Sequence, residues 1–152
     1  ALPALADAML VLAGTGESEA ALRALAKRIG VGDRVRFMGA VPHDDLPALF
    51  AAADVMALVS SSEGIANAWV EALACGTPIV ASDVGGIREL MKNDAAGRIV
   101  AQDPRAIAAA VQSILANPPQ AADVTANVQA FSWKENARQL ADFFRTVSGR
   151  QD

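Results

Sequence analysis

Two carboxylates stand eight positions apart at Glu63 and Glu71, and a glycine directly follows the first. Ionised carboxylates only accept hydrogen bonds, and a bidentate one suits two neighbouring hydroxyls such as those of a ribose. Between them run Gly64, Ile65, Ala66 and Asn67, and from Asn67 to Cys75 the pattern turns helical. A helix start offers free backbone amides and the positive end of its dipole, so this stretch can receive a pyrophosphate without a metal. Gly64 permits close backbone approach. Glu71 then lies about one turn inside the helix and Glu63 in the loop before it, so both can border one cleft. Trp69, Val70, Ala72 and Leu73 flank Glu71, a setting in which burying a carboxylate without a partner is costly. On spacing alone a plainer alternative stays open: Glu63 beside a helix end, and Glu71 exposed on its surface.

Other candidates carry weaker signals. Gly14-Thr15-Gly16 has two glycines of a dinucleotide fingerprint, but Glu19 stands where the third belongs. It reads as a tight strand-to-helix turn bordering the same cleft. His43 lies between Pro42 and Asp44 as a solvated turn residue, and a lone histidine excludes multi-histidine metal sites. No metal ligand set is expected. Cys75, the only cysteine, precedes the helix-ending Gly76 and reads as a small buried residue, with no intramolecular disulfide to form. Asp83, Gly85 and Gly86 form a turn after a strand, where the glycines serve geometry.

Five apolar runs must position these groups: Met9 to Ala13, Val35 to Met38, Val55 to Val59, Pro78 to Ala81 and Arg98 to Ala101. Short and mostly rich in Val, Ile and Leu, they read as strands buried on both faces. Helical periods lie between them. Glu17 to Ile29 sets Ala21, Leu22, Leu25, Ala26 and Ile29 on one face, with Gly30 as the stop. Asp44 caps a short helix carrying Leu46, Leu49 and Phe50. Asp103 and Pro104 open another, as N-cap and first helical residue. The opening ALPALADA resembles the end of a helix. Alternation of strand and helix implies a parallel sheet, doubly wound as a Rossmann-like α/β domain, with ligands beyond the carboxyl ends of the strands. Asn117 to Asn127 reads as a connector without period. Ser132 and Glu135 then form a capping box for a helix with Trp133, Ala137, Leu140, Phe144 and Val147 on one stripe. That stripe is expected to dock on the domain; the alternative is that it covers another domain or a partner chain. The division is therefore 1–131 for the α/β domain and 132–152 for a C-terminal helix and tail.

Composition narrows the function classes. The chain has 152 residues, 53% of them hydrophobic and 20% charged, which suits one packed domain. Its formal net charge is −4, and no basic face is concentrated enough for a phosphate backbone, so no nucleic acid is expected. No apolar run reaches the ~18 residues of a membrane span, and no basic leader precedes one. The expected setting is the cytoplasm.

The text around the carboxylates is similar to the retaining glycosyltransferases of the GT-B fold that carry an E-x7-E motif, the glycosyl transferases of group 1. The matching stretches are AGTG at Ala13 to Gly16, RVRFMGAVPHDDLPALFAAADV from Arg34 to Val55, SSSEGIANAWVEALACGTPIVAS from Ser60 to Ser82, and VGGIREL from Val84 to Leu90. The resemblance runs from about Leu5 to Phe144 and identifies the donor-binding, C-terminal half of such an enzyme. It implies that Glu71 binds the nucleotide ribose, while Glu63, the catalytic candidate, contacts hydroxyls of the transferred sugar. By the same resemblance, the amides of Gly64, Ile65, Ala66 and Asn67 approach sugar and diphosphate. The segment around Gly39, Ala40 and Val41 meets the base through its backbone, and Gly14 and Gly16 border the donor. It further implies a UDP- or GDP-sugar donor, retention of anomeric configuration, and no cofactor or metal, with stabilisation of the leaving diphosphate supplying much of the catalysis.

Two departures from the pattern matter. The usual Arg/Lys pair on the domain's first strand-helix unit has no equivalent before Met9, and Arg23, Lys27 and Arg28 are poor substitutes. That unit's strand would lie between the strands at Met9 and Val55, so a gapped or rearranged sheet is expected, or a segment from another chain. The acceptor domain is also absent, so the chain alone is expected to be inactive, and any contact with the inner membrane face would come through that domain. Second, Ile65 and Ala66 stand where many members have Phe-Gly. Outside transferases, a non-catalytic nucleotide-sugar module and another GT-B enzyme, such as a sugar-nucleotide epimerase or a phosphorylase, remain as alternatives.

Overall fold

The computed structural model describes residues 1–149, with Trp133 described by its backbone alone. Strands β1 (Leu10–Ala13), β2 (Val35–Gly39), β3 (Met56–Leu58), β4 (Ile79–Ser82) and β5 (Gly97–Val100) fall on the five apolar runs. Helices α1 (Glu19–Arg28), α2 (Leu46–Ala51), α3 (Asn67–Ala74), α4 (Ile87–Leu90), α5 (Pro104–Ala116), α6 (Ala121–Thr125) and α7 (Trp133–Ser148) complete the chain. The fold is α/β with parallel pairing throughout its ladders, in two pieces: β1 pairs with β2, and β3, β4 and β5 pair in that order. Among the described residues no ladder joins β1 to β3. This is the gapped sheet expected from the sequence.

The three-stranded piece is a sandwich. Side chains alternate across a strand, so Ile79 and Ala81 of β4 face Trp69 and Leu73 of α3 together with Ile87, Leu90 and Val124. Val80 points the other way, against Ala108, Val111 and Ile114 of α5 and Leu5. Asp103 starts α5 by accepting from the amides of Arg105 (2.9 Å) and Ala106 (2.8 Å), with Pro104 at the first position.

The two-stranded piece corrects the expectation of strands buried on both faces. Leu10 and Val11 of β1 are exposed, and on α1 only Ala26 is buried; Ala21, Leu22, Leu25 and Ile29 of the expected inward face lie open. Only Ala26 of that face packs, in a small cluster with Val31, Val35, Leu12 and Phe37. The N-terminal segment links the two pieces. It forms a 3-10 turn at Leu2–Ala4. Leu5 packs toward α5, and Gln112 Nε2 donates to Ala4 O at 2.9 Å. The fork of donors on the Arg34 guanidinium meets the carbonyls of Leu2, Leu5, Ala6 and Ala8.

Three local expectations also change. Asp44 lies inside a 3-10 turn, and α2 begins after Asp45 without a side-chain cap. The 117–127 connector contains α6, a single turn that buries Val124, too short to leave a period. At α7 half of the capping box forms: Ser132 Oγ accepts from the Glu135 amide at 3.1 Å, while the Glu135 carboxylate turns to Arg138 and Gln139. Docking of the α7 stripe is not observed, since Ala137, Leu140, Phe144 and Val147 are all exposed. The side chain of Trp133 and residues 150–152 of the expected tail lie outside the described set.

Candidate functional site

Ser60 to Ala66 forms the loop that leaves β3 at its carboxyl end and enters α3. Ala66 is extended (φ −68°, ψ 124°) and offers no side-chain cap, so the first-turn amides of Asn67 and Ala68 keep their donors free of a capping side chain. Glu63 sits in the loop and Glu71 in the second turn of α3; both are half-buried, while Gly64, Ile65 and Asn67 are exposed. Among the described residues neither carboxylate joins an ion pair. The helix carrying Glu71 is anchored beneath by Trp69, which is fully buried and donates from Nε1 to Leu58 O of β3 at 3.4 Å. Sequence reading and structure therefore agree on the elements of this site, with Glu63 before the helix and Glu71 within it.

Glu71 also acts on its neighbour one turn on. Cys75, at the end of α3, is half-buried rather than fully enclosed as expected. Burial pushes its thiol above the ordinary range, and the negative charge of Glu71 adds to that shift. A thiol so raised stays protonated and is a poor nucleophile near neutral pH.

Gly14 and Val41 meet on the other piece. With Ala13, Thr15, Ala40 and Leu46 they line a recess of ≈ 270 Å³ beyond the carboxyl ends of β1 and β2. The Gly14 amide donates to Gly39 O at 2.7 Å, and Gly14 adopts φ 123°, a conformation that favours glycine. Gly16 is not part of this recess; its carbonyl accepts from the Glu19 amide at 3.1 Å as α1 begins. His43 lies exposed in the adjoining 3-10 turn, as expected.

A larger recess of ≈ 580 Å³ opens beyond β4 and β5, lined by Ser61, Ser82, Asp83, Arg88 and Gln102 among others. Arg88 grips Asp83 with two hydrogen bonds of 2.8 and 2.6 Å, which holds the Asp83 carboxyl below its usual range. Sequence reasoning singled out Asp83 but not Arg88 or Gln102. A five-residue spacing across a turn carries no periodic signal, and Gln102 comes from a different strand.

Gly14, Val41, Glu63, Asp83 and Gln102 follow the carboxyl ends of β1 to β5 in turn, the place where open α/β sheets bind ligands. The comparisons with known proteins agree with that architecture. Residues 1–131 match the family model described as glycosyl transferases group 1. The chain belongs to this family. It is 37% identical, over 93% of its length, to a D-inositol 3-phosphate glycosyltransferase of Salinispora tropica, of which it covers 32%. Among solved structures, a sucrose-phosphate synthase from Thermosynechococcus elongatus superposes with a TM-score of 0.84 at 31% identity, covering 97% of this chain and 40% of that one. Anabaena HepE in complex with UDP-glucose gives a TM-score of 0.81 at 27% identity, with 95% of this chain and 44% of that one covered. The chain spans about a third of the length of the curated relatives it matches.

Proposed function

We propose that the chain is the donor-binding half of a retaining glycosyltransferase, which moves a hexosyl group from a nucleotide-diphosphate sugar to an acceptor held by another domain. The observation that carries this reading is that Glu63 in the loop after β3 and Glu71 in the second turn of α3 flank an uncapped helix start, in a chain whose relative HepE was solved with UDP-glucose. Glu71 accepts from the ribose hydroxyls and Glu63 from hydroxyls of the sugar. The amides of Gly64, Ile65, Ala66 and Asn67 meet the sugar and diphosphate, where the α3 dipole favours negative charge. Val41 meets the base, and Gly14 and Gly16 border the donor. Preorganised amides stabilise the leaving diphosphate without a metal or cofactor, and the donor is a UDP- or GDP-sugar. Transfer itself requires the acceptor domain, so this chain alone binds without turning over; the same domain would make any membrane contact, in a cytoplasmic protein.

Calorimetry with UDP and GDP tests the reading. One of the two is expected to bind, and Glu71→Ala is expected to lower that affinity at least ~100-fold, the loss of a ~3 kcal/mol bidentate contact. In the protein completed with its acceptor domain, Glu63→Ala is expected to reduce turnover and sugar discrimination more than nucleotide affinity. Equal and small effects from the two changes would reject the assigned roles.

A further inference from the structure

The loop that carries Glu63 is gripped along its backbone by residues of two neighbouring loops. The Ser82 hydroxyl, on a side chain only 4% exposed, donates to Ser60 O. Gln102 Nε2 donates to Val59 O at 3.2 Å, and the Gly86 amide donates to Gly64 O at 2.8 Å. Three carbonyls spread over six residues are thus tied to the end of β4 and to the segments that follow β4 and β5.

The closest approach is at the glycine pair. A Cβ on Gly85, whose φ is +54°, would overlap the carbonyl oxygens of both Gly64 and Glu63 and come within 2.9 Å of the Gly64 carbonyl carbon. A Cβ on Gly86 would clash with the Ile65 side chain alone, 2.5 Å from Cγ1 and 2.9 Å from Cδ1, with Glu89 Oε1 at an ordinary 3.5 Å. The first clash is with backbone and moves the loop; the second can be relieved by a rotamer change.

We propose that Gly85 and Gly86 are positioning residues for the donor sugar: their missing side chains let the turn after β4 seat the Glu63–Gly64 peptide at its working depth in the cleft. The inference rests on the donor-site reading above and adds the device that sets where Glu63 stands. Glu71, carried by α3 and outside this grip, keeps its place when the glycines change. Gly85 therefore governs the sugar end of the donor most, the diphosphate at the Gly64 amide less, and leaves the ribose contact at Glu71 alone.

The test compares dissociation constants for UDP and UDP-glucose, replaced throughout by GDP and GDP-mannose if GDP is the nucleotide bound, with thermal melting beside them, in wild type, Gly85→Ala, Gly86→Ala and Glu71→Ala chains. Gly85→Ala is expected to weaken UDP-glucose about tenfold more than it weakens UDP. Equal loss for both ligands in step with the melting temperature reduces Gly85 to a packing role and overturns the proposal, as does an unchanged ratio. Should Gly85→Ala fail to fold, Gly86→Ala decides: a smaller shift in the same ratio, reversed by adding Ile65→Ala, supports the proposal, and an unmoved ratio overturns it. Wild type that binds neither UDP nor GDP, or nucleotide binding indifferent to Glu71→Ala, removes the donor-site reading and this inference together. Glu71 sensitivity with an unmoved Gly85 ratio removes only the inference.

Discussion

β1 and β4 are both four residues long and of similar character, Leu-Val-Leu-Ala against Ile-Val-Ala-Ser. Their surroundings differ completely. Ile79, Val80 and Ala81 of β4 are 0% exposed, whereas Leu10 and Val11 of β1 are 38% and 41% exposed. β4 has a strand on each side and helices on both faces, while β1 has β2 on one side and an open edge on the other. An apolar run specifies that a strand wants cover; its neighbours determine whether it receives any. The proposed donor site spans this contrast, with Glu63 and Glu71 on the well-packed piece and Gly14 and Val41 on the bare one. Seated as they are, the carboxylates belong to the well-packed half, and the base-side recess belongs to the half whose strand edge is unpaired among the described residues.

The widest test of that contrast is stability. Trp69→Ala removes the largest buried side chain under α3 and is expected to cost about 3–5 kcal/mol, as large aromatic truncations in cores do. Val11→Ala on β1 is expected to change stability by less than about 0.5 kcal/mol, as at exposed positions generally. Denaturant unfolding measures both, and a Val11 effect rivalling that of Trp69 would mean β1 is covered in solution.

A smaller effect sharpens the packed side. Asn127 is 1% exposed; its Oδ1 accepts from the Lys92 amide at 3.1 Å, and its Nδ2 donates to Asp123 O (2.9 Å), Val124 O (3.1 Å) and Asn93 Oδ1 (3.2 Å). Asn127→Ala strands these groups and is expected to destabilise by about 1–3 kcal/mol in the same experiment. Loss of less than half that would show water replacing the side chain.

The smallest effect concerns Cys75. Its thiol is raised first by burial and then by Glu71. Glu71→Gln removes the negative charge, so the thiolate forms at lower pH and alkylation by iodoacetamide at a fixed mildly alkaline pH speeds up. Burial still keeps the thiol above its ordinary range. A pH–rate profile identical in both proteins would place the Glu71 carboxylate away from Cys75 and loosen its position on α3.

Much of this molecule was settled by local chemistry. The five strands, the start of α5 at Asp103-Pro104, and the placing of Glu63 in a loop with Glu71 on the next helix follow from side-chain period, caps and spacing, which act over a few residues. The tertiary structure alone decided the rest. It put the Asn127 carboxamide under Lys92, joined Arg34 to the N-terminal carbonyls, laid Gly85 against the Glu63–Gly64 peptide, and left the apolar faces of α1 and α7 uncovered. Each of those depends on which distant segment arrives beside which. Hydrophobic burial and backbone hydrogen bonding are blind to sequence distance, so no short window of residues can announce them.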